Sequence, residues 1–320
     1  MGTPAAGADR DSGQGSETDT QVKSDGQDLS VATSGKGYKI DAAKNGQGSA
    51  VGALKPIGNW TPPPCWYAPK YTPAQLKKER EGIWSAESTG HEWENSERDH
   101  YKDFNADKTD KGYWWGSYID KSRFGDPGIL ACDKPPFWVD IGDPPPAEVP
   151  EVITPKILAD LAYAEVRVPD TKVDLAPAAN TKVNLPTWAW LDKAEFKPVS
   201  VTASVPVLNL QATATAVPDS LQIEPGTKDA VLHPASGECL LNDDGSSIGT
   251  PYAKGSAEET PPCGLTYLRA SGDGPYKLQA TITWKISWTG TGNPEPTNLP
   301  DGTFGTTQDI TVQEIQAINR

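Results

Sequence analysis

The sequence predicts an α+β protein that is mainly β, with a disordered N-terminal tail, a small aromatic-rich α/β unit and a C-terminal antiparallel β-sandwich. Three observations predict it. From Tyr276 to Trp288 the chain alternates strictly, with Tyr276, Leu278, Ala280, Ile282, Trp284, Ile286 and Trp288 on one side and Lys277, Gln279, Thr281, Thr283, Lys285 and Ser287 on the other. Successive strand side chains point to opposite faces, so this is a strand with one buried and one wet face, as in antiparallel rather than parallel sheets. From Val199 onward, further extended runs are separated by turn signals, the pattern of a sandwich. Residues 1–55, in contrast, are dominated by Gly, Ser, Asp, Gln and Thr, and too few apolar side chains are present to offset the entropy of ordering.

Taken in order, the acidic tail at 1–55 reads as a spacer or tether. Residues 56–141 change character, with Trp60, Trp66, Tyr67, Tyr71, Trp84, Trp93, Tyr101, Trp114, Trp115 and Trp138. Within them Thr72-Pro73-Ala74-Gln75 is a helix start, with Thr as N-cap, Pro at the first helical position and Gln closing a capping box. Strong helix formers follow from Leu76 to Glu81, and Gly82 marks the expected end. The stretch on to Asp110 is charged and mixed in sign, a solvated helix or loop. Residues 142–195 form a Pro-rich connection. Gly142 to Pro150 favours polyproline II, Thr154-Pro155 starts a short helix with Ile157, Leu158, Leu161 and Ala162 at helical spacing, and Val173–Leu175, Val183–Leu185 and Pro186–Leu191 are extended. The sandwich occupies 196–320. Val199, Val201, Ala203, Val205 and Val207 alternate, Ala212, Ala214 and Ala216 alternate in a new phase, and Leu221-Gln222-Ile223 runs into a Pro225-Gly226 turn. Asn242 to Gly245 is a hairpin signal, and the last strand carries Ile310, Val312, Ile315 and Ala317, whose slip in phase implies a bulge.

Composition narrows the function classes. A net charge of −14 argues against a nucleic-acid partner, which needs clustered Lys and Arg, and against an anionic membrane surface. No apolar run approaches the ~20 residues of a membrane span. No cofactor motif is present, since Gly46-Gln47-Gly48 has no strand before it. The four cysteines, Cys65, Cys132, Cys239 and Cys263, lack C-x-x-C spacing and nearby His. They allow three pairings. Cys65–Cys132 with Cys239–Cys263 keeps each pair inside one compositional unit, and the alternative is four buried thiols in a reducing compartment. Disulfides imply a secreted, extracellular or envelope-associated protein, although no charged and apolar export signal follows Met1.

Pro186-Thr187-Trp188-Ala189-Trp190, Cys65-Trp66-Tyr67, Tyr113-Trp114-Trp115-Gly116 and Val312 to Ala317 together resemble uncharacterised secreted or cell-envelope proteins of high-GC actinobacteria, over residues from about 60 to the end. That resemblance implies export and an envelope setting, not an activity. Ala216 to Gly226 resembles the first strand of bacterial immunoglobulin-like domains, which implies an immunoglobulin-like sandwich. The usual core Trp between paired cysteines is absent, because Trp284 follows both Cys239 and Cys263.

Catalytic constellations are incomplete. Gly245-Ser246-Ser247-Ile248-Gly249 matches G-x-S-x-G, but it follows Asn-Asp-Asp and runs into Thr250-Pro251, and the last His in the chain, His233, lies upstream, so a turn is the better reading. His91 and His100 flank acidic residues without H-E-x-x-H spacing. Asp103, Asn105 and Asp107 have the spacing of the first calcium-loop ligands, yet Lys108 replaces the required Gly and Trp114 stands where the bidentate Glu belongs. Asn59-Trp60-Thr61 fits a glycosylation sequon, a pattern short enough to occur by chance.

Tryptophan, eleven in all, is the feature open to a functional role. Trp284 and Trp288 share a face with Leu278 and Ile286 and read as core. Trp114 and Trp115 cannot both point inward if their strand has one wet face, so one of them is the candidate contact surface. The expectation is a non-enzymatic structural or interaction protein acting through a protein partner. A glycan-binding module using exposed Trp is the alternative, and a hydrolase using the acidic residues of 87–110 ranks below both.

Overall fold

The structure is a computed structural model, and it describes residues 37–47, 51–86, 100–169, 172–192, 197–243, 245 and 247–315. The strands of the N-terminal half are β1 (Lys39–Lys44), β2 (Val51–Ala53), β3 (Lys55–Pro56), β4 (Cys65–Tyr71), β5 (Gly112–Ile119), β6 (Phe137–Asp140), β7 (Arg167–Pro169), β8 (Asp174–Ala176), β9 (Asn180–Lys182) and β10 (Pro186–Asp192). Those that follow are β11 (Val199–Val205), β12 (Leu210–Glu224), β13 (Ala230–His233), β14 (Glu238–Leu240), β15 (Ser247–Ile248), β16 (Gly264–Tyr267), β17 (Tyr276–Gly290) and β18 (Asn293–Gln313). Among the described residues two α-helices, α1 (Pro73–Ala86) and α2 (Pro155–Ala164), accompany these strands in a fold that is α+β and mainly β.

The alternating run is β17, the centre of a large sheet ordered β1-β11-β12-β17-β18-β3. Its buried row, Leu278 to Trp288, lies beside β12, where Ala214 faces Trp288, Ala216 faces Ile286 and Pro218 faces Trp284. Small residues thus flank the large ones. The alanines of β12 also seat α2, whose Leu158, Ala159 and Ala162 are fully buried against β11, β12 and β17. Both helices start as the sequence dictates. Thr154 Oγ1 accepts from Ile157 N at 3.2 Å. At α1 the capping box closes both ways, Thr72 N donating to Gln75 Oε1 at 2.8 Å and Gln75 N to Thr72 Oγ1 at 3.4 Å.

A second sheet, ordered β13-β16-β10-β15 with β8 beside β10, turns Leu265, Tyr267, Ala189 and Leu191 toward the same core, giving a sandwich-like pair of sheets. The 195/196 boundary expected from composition falls between strands of this one sheet, since β10 precedes it and β16 follows it. The Cys239–Cys263 disulfide ties the sheets together, because β14 pairs with β12 and Cys263 leads into β16. Cys65–Cys132 is also formed, so both expected pairings are present. The Asn242–Gly245 hairpin closes as expected, with Asn242 N donating to Ser247 O at 2.9 Å.

Four expectations need correction. Residues 37–47 and 51–55 are not tail: β1 extends one edge of the large sheet at β11, β3 covers the other at β18, and Tyr38 and Leu54 are buried. Ordering so polar a segment is offset by backbone pairing and by protecting both sheet edges, neither of which hydropathy reports. Helix α1 continues through Gly82 to Ala86, because Gly82 is only a weak breaker where the helical ladder can run on. The last strand begins at Asn293, not near Ile310; its prolines, Pro294, Pro296 and Pro300, lie where it pairs with β17 alone, before β3 joins its other side at Gly302, and bulges fall opposite Trp284–Ile286 and Trp288–Gly290. No bulge brings Ile315 inward, and it is exposed. The Gly142–Pro150 connection packs onto the fold, with Val149 buried, and just beyond it Glu151 O accepts from Tyr67 N at 2.7 Å.

Candidate functional site

Strands β4, β5 and β6 form a three-stranded sheet, and both of its faces are covered. Trp114 sits under α1 with Leu76, Tyr101 and Phe104, its Nε1 donating to Phe104 O at 2.9 Å. Trp115, on the opposite face, stacks on Phe137 within the main core. Their exposures are 5% and 2%, so the expectation that one of them faces solvent is corrected. The alternation argument assumed one wet face. The 100–111 turns and α1 close that face, a long-range event the local pattern does not contain.

Asp103, Asn105 and Asp107 lie in those turns. Phe104 and Asn105 both adopt left-handed backbone, at φ 49° and 54°, which folds Phe104 inward and leaves Asp103 and Asp107 exposed. No group of three His, Cys, Asp or Glu side chains able to hold a metal occurs among the described residues. Ser247 is buried, accepting from Asn242 Nδ2 at 2.8 Å and donating to Gly249 O at 2.7 Å, which makes it part of the hairpin. His100 stacks edge-on against Tyr101, while His91 and most of the acidic stretch around it lie outside the described residues. A shallow depression of about 410 Å³ at the β12 and β17 bulges holds Lys285 between Asp219 and Asp301, 3.7 and 4.0 Å away, an exposed ion-pair arrangement of small energetic weight.

A feature missed by the sequence reading is the β5–β6 loop. Asp120 accepts from Ser122 N at 3.0 Å and Ser122 Oγ at 2.7 Å, capping one 3-10 turn. Asp126 accepts from Gly128 N at 2.8 Å, capping a second that ends at Cys132. The Arg123 guanidinium donates to Pro62 O and pairs with Asp126, and the Cys65–Cys132 disulfide fastens the far end to β4. The Gly128 amide first, and Arg123 next, hold the Asp126 carboxyl below the usual carboxylate range. Between these anchors Gly125 takes φ 99°, a conformation that excludes an ordinary side chain, and turns the chain so that Phe124 stands out at 88% exposure. Leu130 is 67% exposed on the same loop. A large aromatic held in water on a cross-braced loop is a ready contact, because little conformational entropy remains to be lost on binding. The signal was legible in principle: two turn-forming Asp residues bracket Phe124-Gly125, and a disulfide cysteine closes the segment.

Comparison with protein-family models, with curated protein sequences and with solved structures finds no match to this chain.

Proposed function

We propose that this protein is a secreted, non-enzymatic component of the cell envelope or its surroundings that works through protein contacts, with residues 120–132 as the contact loop. Two disulfides are typical of oxidising compartments, and no helix among the described residues is long and apolar enough to cross a membrane. The resemblance of the aromatic motifs to actinobacterial envelope proteins agrees with that setting. The observation that carries the reading is Phe124, 88% exposed on a loop braced by two Asp caps, an Arg123–Asp126 ion pair and a disulfide. Exposed aromatic anchors on preorganised elements are where binding energy concentrates in protein interfaces. In this reading the paired sheets are an immunoglobulin-like scaffold that presents the loop.

The test compares the wild-type chain with Phe124→Ala and Leu130→Ala as baits in envelope extracts and culture fluid. Both variants should unfold within about 0.5 kcal/mol of wild type, because the replaced side chains are exposed. A defined partner should be retained by the wild type and lost by Phe124→Ala. Identical captured sets from all three baits would sink the assignment of this loop.

A further inference from the structure

A free sheet edge carries a row of unpaired N–H and C=O groups to which another chain can add, and natural proteins guard such edges with charges, prolines and bulges. Several edges of the two packed sheets are guarded in this way. Strand β1 carries Lys39, Asp41 and Lys44, with a bulge between the last two. Where it pairs with β17 alone, β18 carries Pro294, Pro296 and Pro300. Strand β8 is short and includes Asp174. Strand β13 is different. It ends the second sheet, pairs with β16 alone among the described strands, and reads Ala230-Val231-Leu232-His233, without a carboxylate, a lysine, an arginine, a proline or a bulge.

The hydrogen-bond pattern fixes which groups of β13 are free. Leu268 N donates to Asp229 O at 2.9 Å, which makes Asp229–Leu268 a hydrogen-bonded pair and, by alternation, Val231–Thr266 and His233–Gly264 as well. Ala230 and Leu232 take the positions between, so their backbone N–H and C=O groups point away from β16. No backbone group elsewhere among the described residues pairs with them. Their side chains pack against the core, whereas Val231 is 44% exposed beside Thr266 on the other face. Asp229 and His233 share that face with Val231, and the Asp229 carboxylate lies 3.5 Å from the Arg269 guanidinium.

We infer that the β13 edge is a self-association surface, at which the β13 strands of two copies pair antiparallel about a two-fold axis through Val231. The free groups dictate this register. Ala230 of one copy forms a hydrogen-bonded pair with Leu232 of the second copy, and the symmetry repeats it, for about four backbone hydrogen bonds. Val231 then meets Val231 of the second copy in the close, non-hydrogen-bonded position, where a pair of β-branched side chains stabilises a sheet. One step further out, Asp229 lies opposite His233 of the second copy, and the reverse holds across the axis. The strand therefore complements itself in backbone pairing, in apolar contact and in charge, whereas an extended peptide of arbitrary sequence would satisfy the backbone groups alone. Local charge matters because a net charge of −14 makes copies repel unless the contact itself is close to neutral. Asp229 meets that condition, with Lys228 beside it in the chain and Arg269 across the strand pair.

Sedimentation equilibrium of the full chain from roughly 10 μM to 1 mM tests this, a range suited to an interface at the small end of known sizes. A reversible monomer–dimer equilibrium is expected, unchanged in Phe124→Ala and shifted about tenfold or more toward monomer by Val231→Lys, which sets like charges directly opposite each other on the axis. Val231→Lys alters an exposed side chain, so its thermal unfolding should match wild type. A second readout reports the register. Across a non-hydrogen-bonded pair the Cα atoms lie about 4.5 Å apart, within disulfide reach, so Val231→Cys should give a disulfide-linked dimer under mild oxidation and the exposed Val207→Cys should not. Wild type that stays monomeric to the top of that range, Val231→Lys that dimerises as well as wild type, or equal linkage from positions 231 and 207 overturns the inference.

Discussion

Removing each disulfide separately gives a quantitative test of how the sheets are joined. Cys65–Cys132 spans 67 residues and Cys239–Cys263 spans 24, and the two loops do not overlap. Loop-closure entropy then assigns about 4.4 kcal/mol to the first bond and about 3.5 kcal/mol to the second. The difference, about 0.9 kcal/mol, depends only on the ratio of loop lengths and is the safer number. The paired variants Cys65→Ala/Cys132→Ala and Cys239→Ala/Cys263→Ala would be unfolded in guanidinium and followed by tryptophan fluorescence, with linear extrapolation to water. The reasoning requires two losses of this size, the longer loop costing more. A loss below about 1 kcal/mol for either pair, or a clear reversal of their order, would refute the view that these bonds act chiefly by restricting the unfolded chain. A variant lacking native fluorescence before denaturant is added would refute it differently, by showing that the bond holds the native packing itself.

The remaining predictions concern single positions. Gly82→Ala should stabilise the protein by about 0.5–1 kcal/mol in thermal unfolding, since Gly82 lies inside α1 and open space surrounds the position of a new Cβ. Tyr163→Phe should be neutral or stabilising by up to about 1 kcal/mol, because the Tyr163 hydroxyl is buried without a hydrogen-bond partner among the described residues and its ring contact with Trp60 survives. Burial pushes the Tyr163 phenol up to about 12, and those of Tyr38, Tyr118 and Tyr267 are raised as well. Raised values mean that the unfolded chain ionises first, so stability is full below the free-tyrosine value near pH ~10 and is lost as pH rises through the folded value. Tyrosinate absorbance measured with unfolding across that alkaline range should show ionisation and unfolding together; full ionisation of the folded protein at free-tyrosine pH would contradict it. Asp126→Ala should speed hydrogen exchange at the Gly128 amide while leaving β17 protected, because that carboxylate caps only the loop.

What the sequence discloses and what it hides divide along contact range. Strand β17 was legible because its alternation reports a property of its own two faces, and both helix starts because Thr72, Gln75 and Thr154 bond within a turn of themselves. The disulfide pairing followed from composition alone. Trp114 and Trp115 misled because the second face of β5 is closed by α1 and by Tyr101 and Phe104, whose arrival depends on tertiary packing. Strands β1 and β3 were hidden for a related reason: their stability comes from partners more than a hundred residues away, not from their own side chains. Phe124 is legible only where Asp120, Asp126 and Cys132 are read together as braces, and the hydrogen bonds those two carboxylates accept become visible only in the folded loop.

The central claim is that Phe124 meets a protein partner. A photo-activated benzophenone amino acid placed at position 124 tests it most directly, with the exposed Val207 as the control position. Irradiation of cells producing the protein should give one defined covalent adduct from position 124, identifiable by mass spectrometry, and none from position 207. Free protein alone at both positions, or the same adducts from both, would contradict the account.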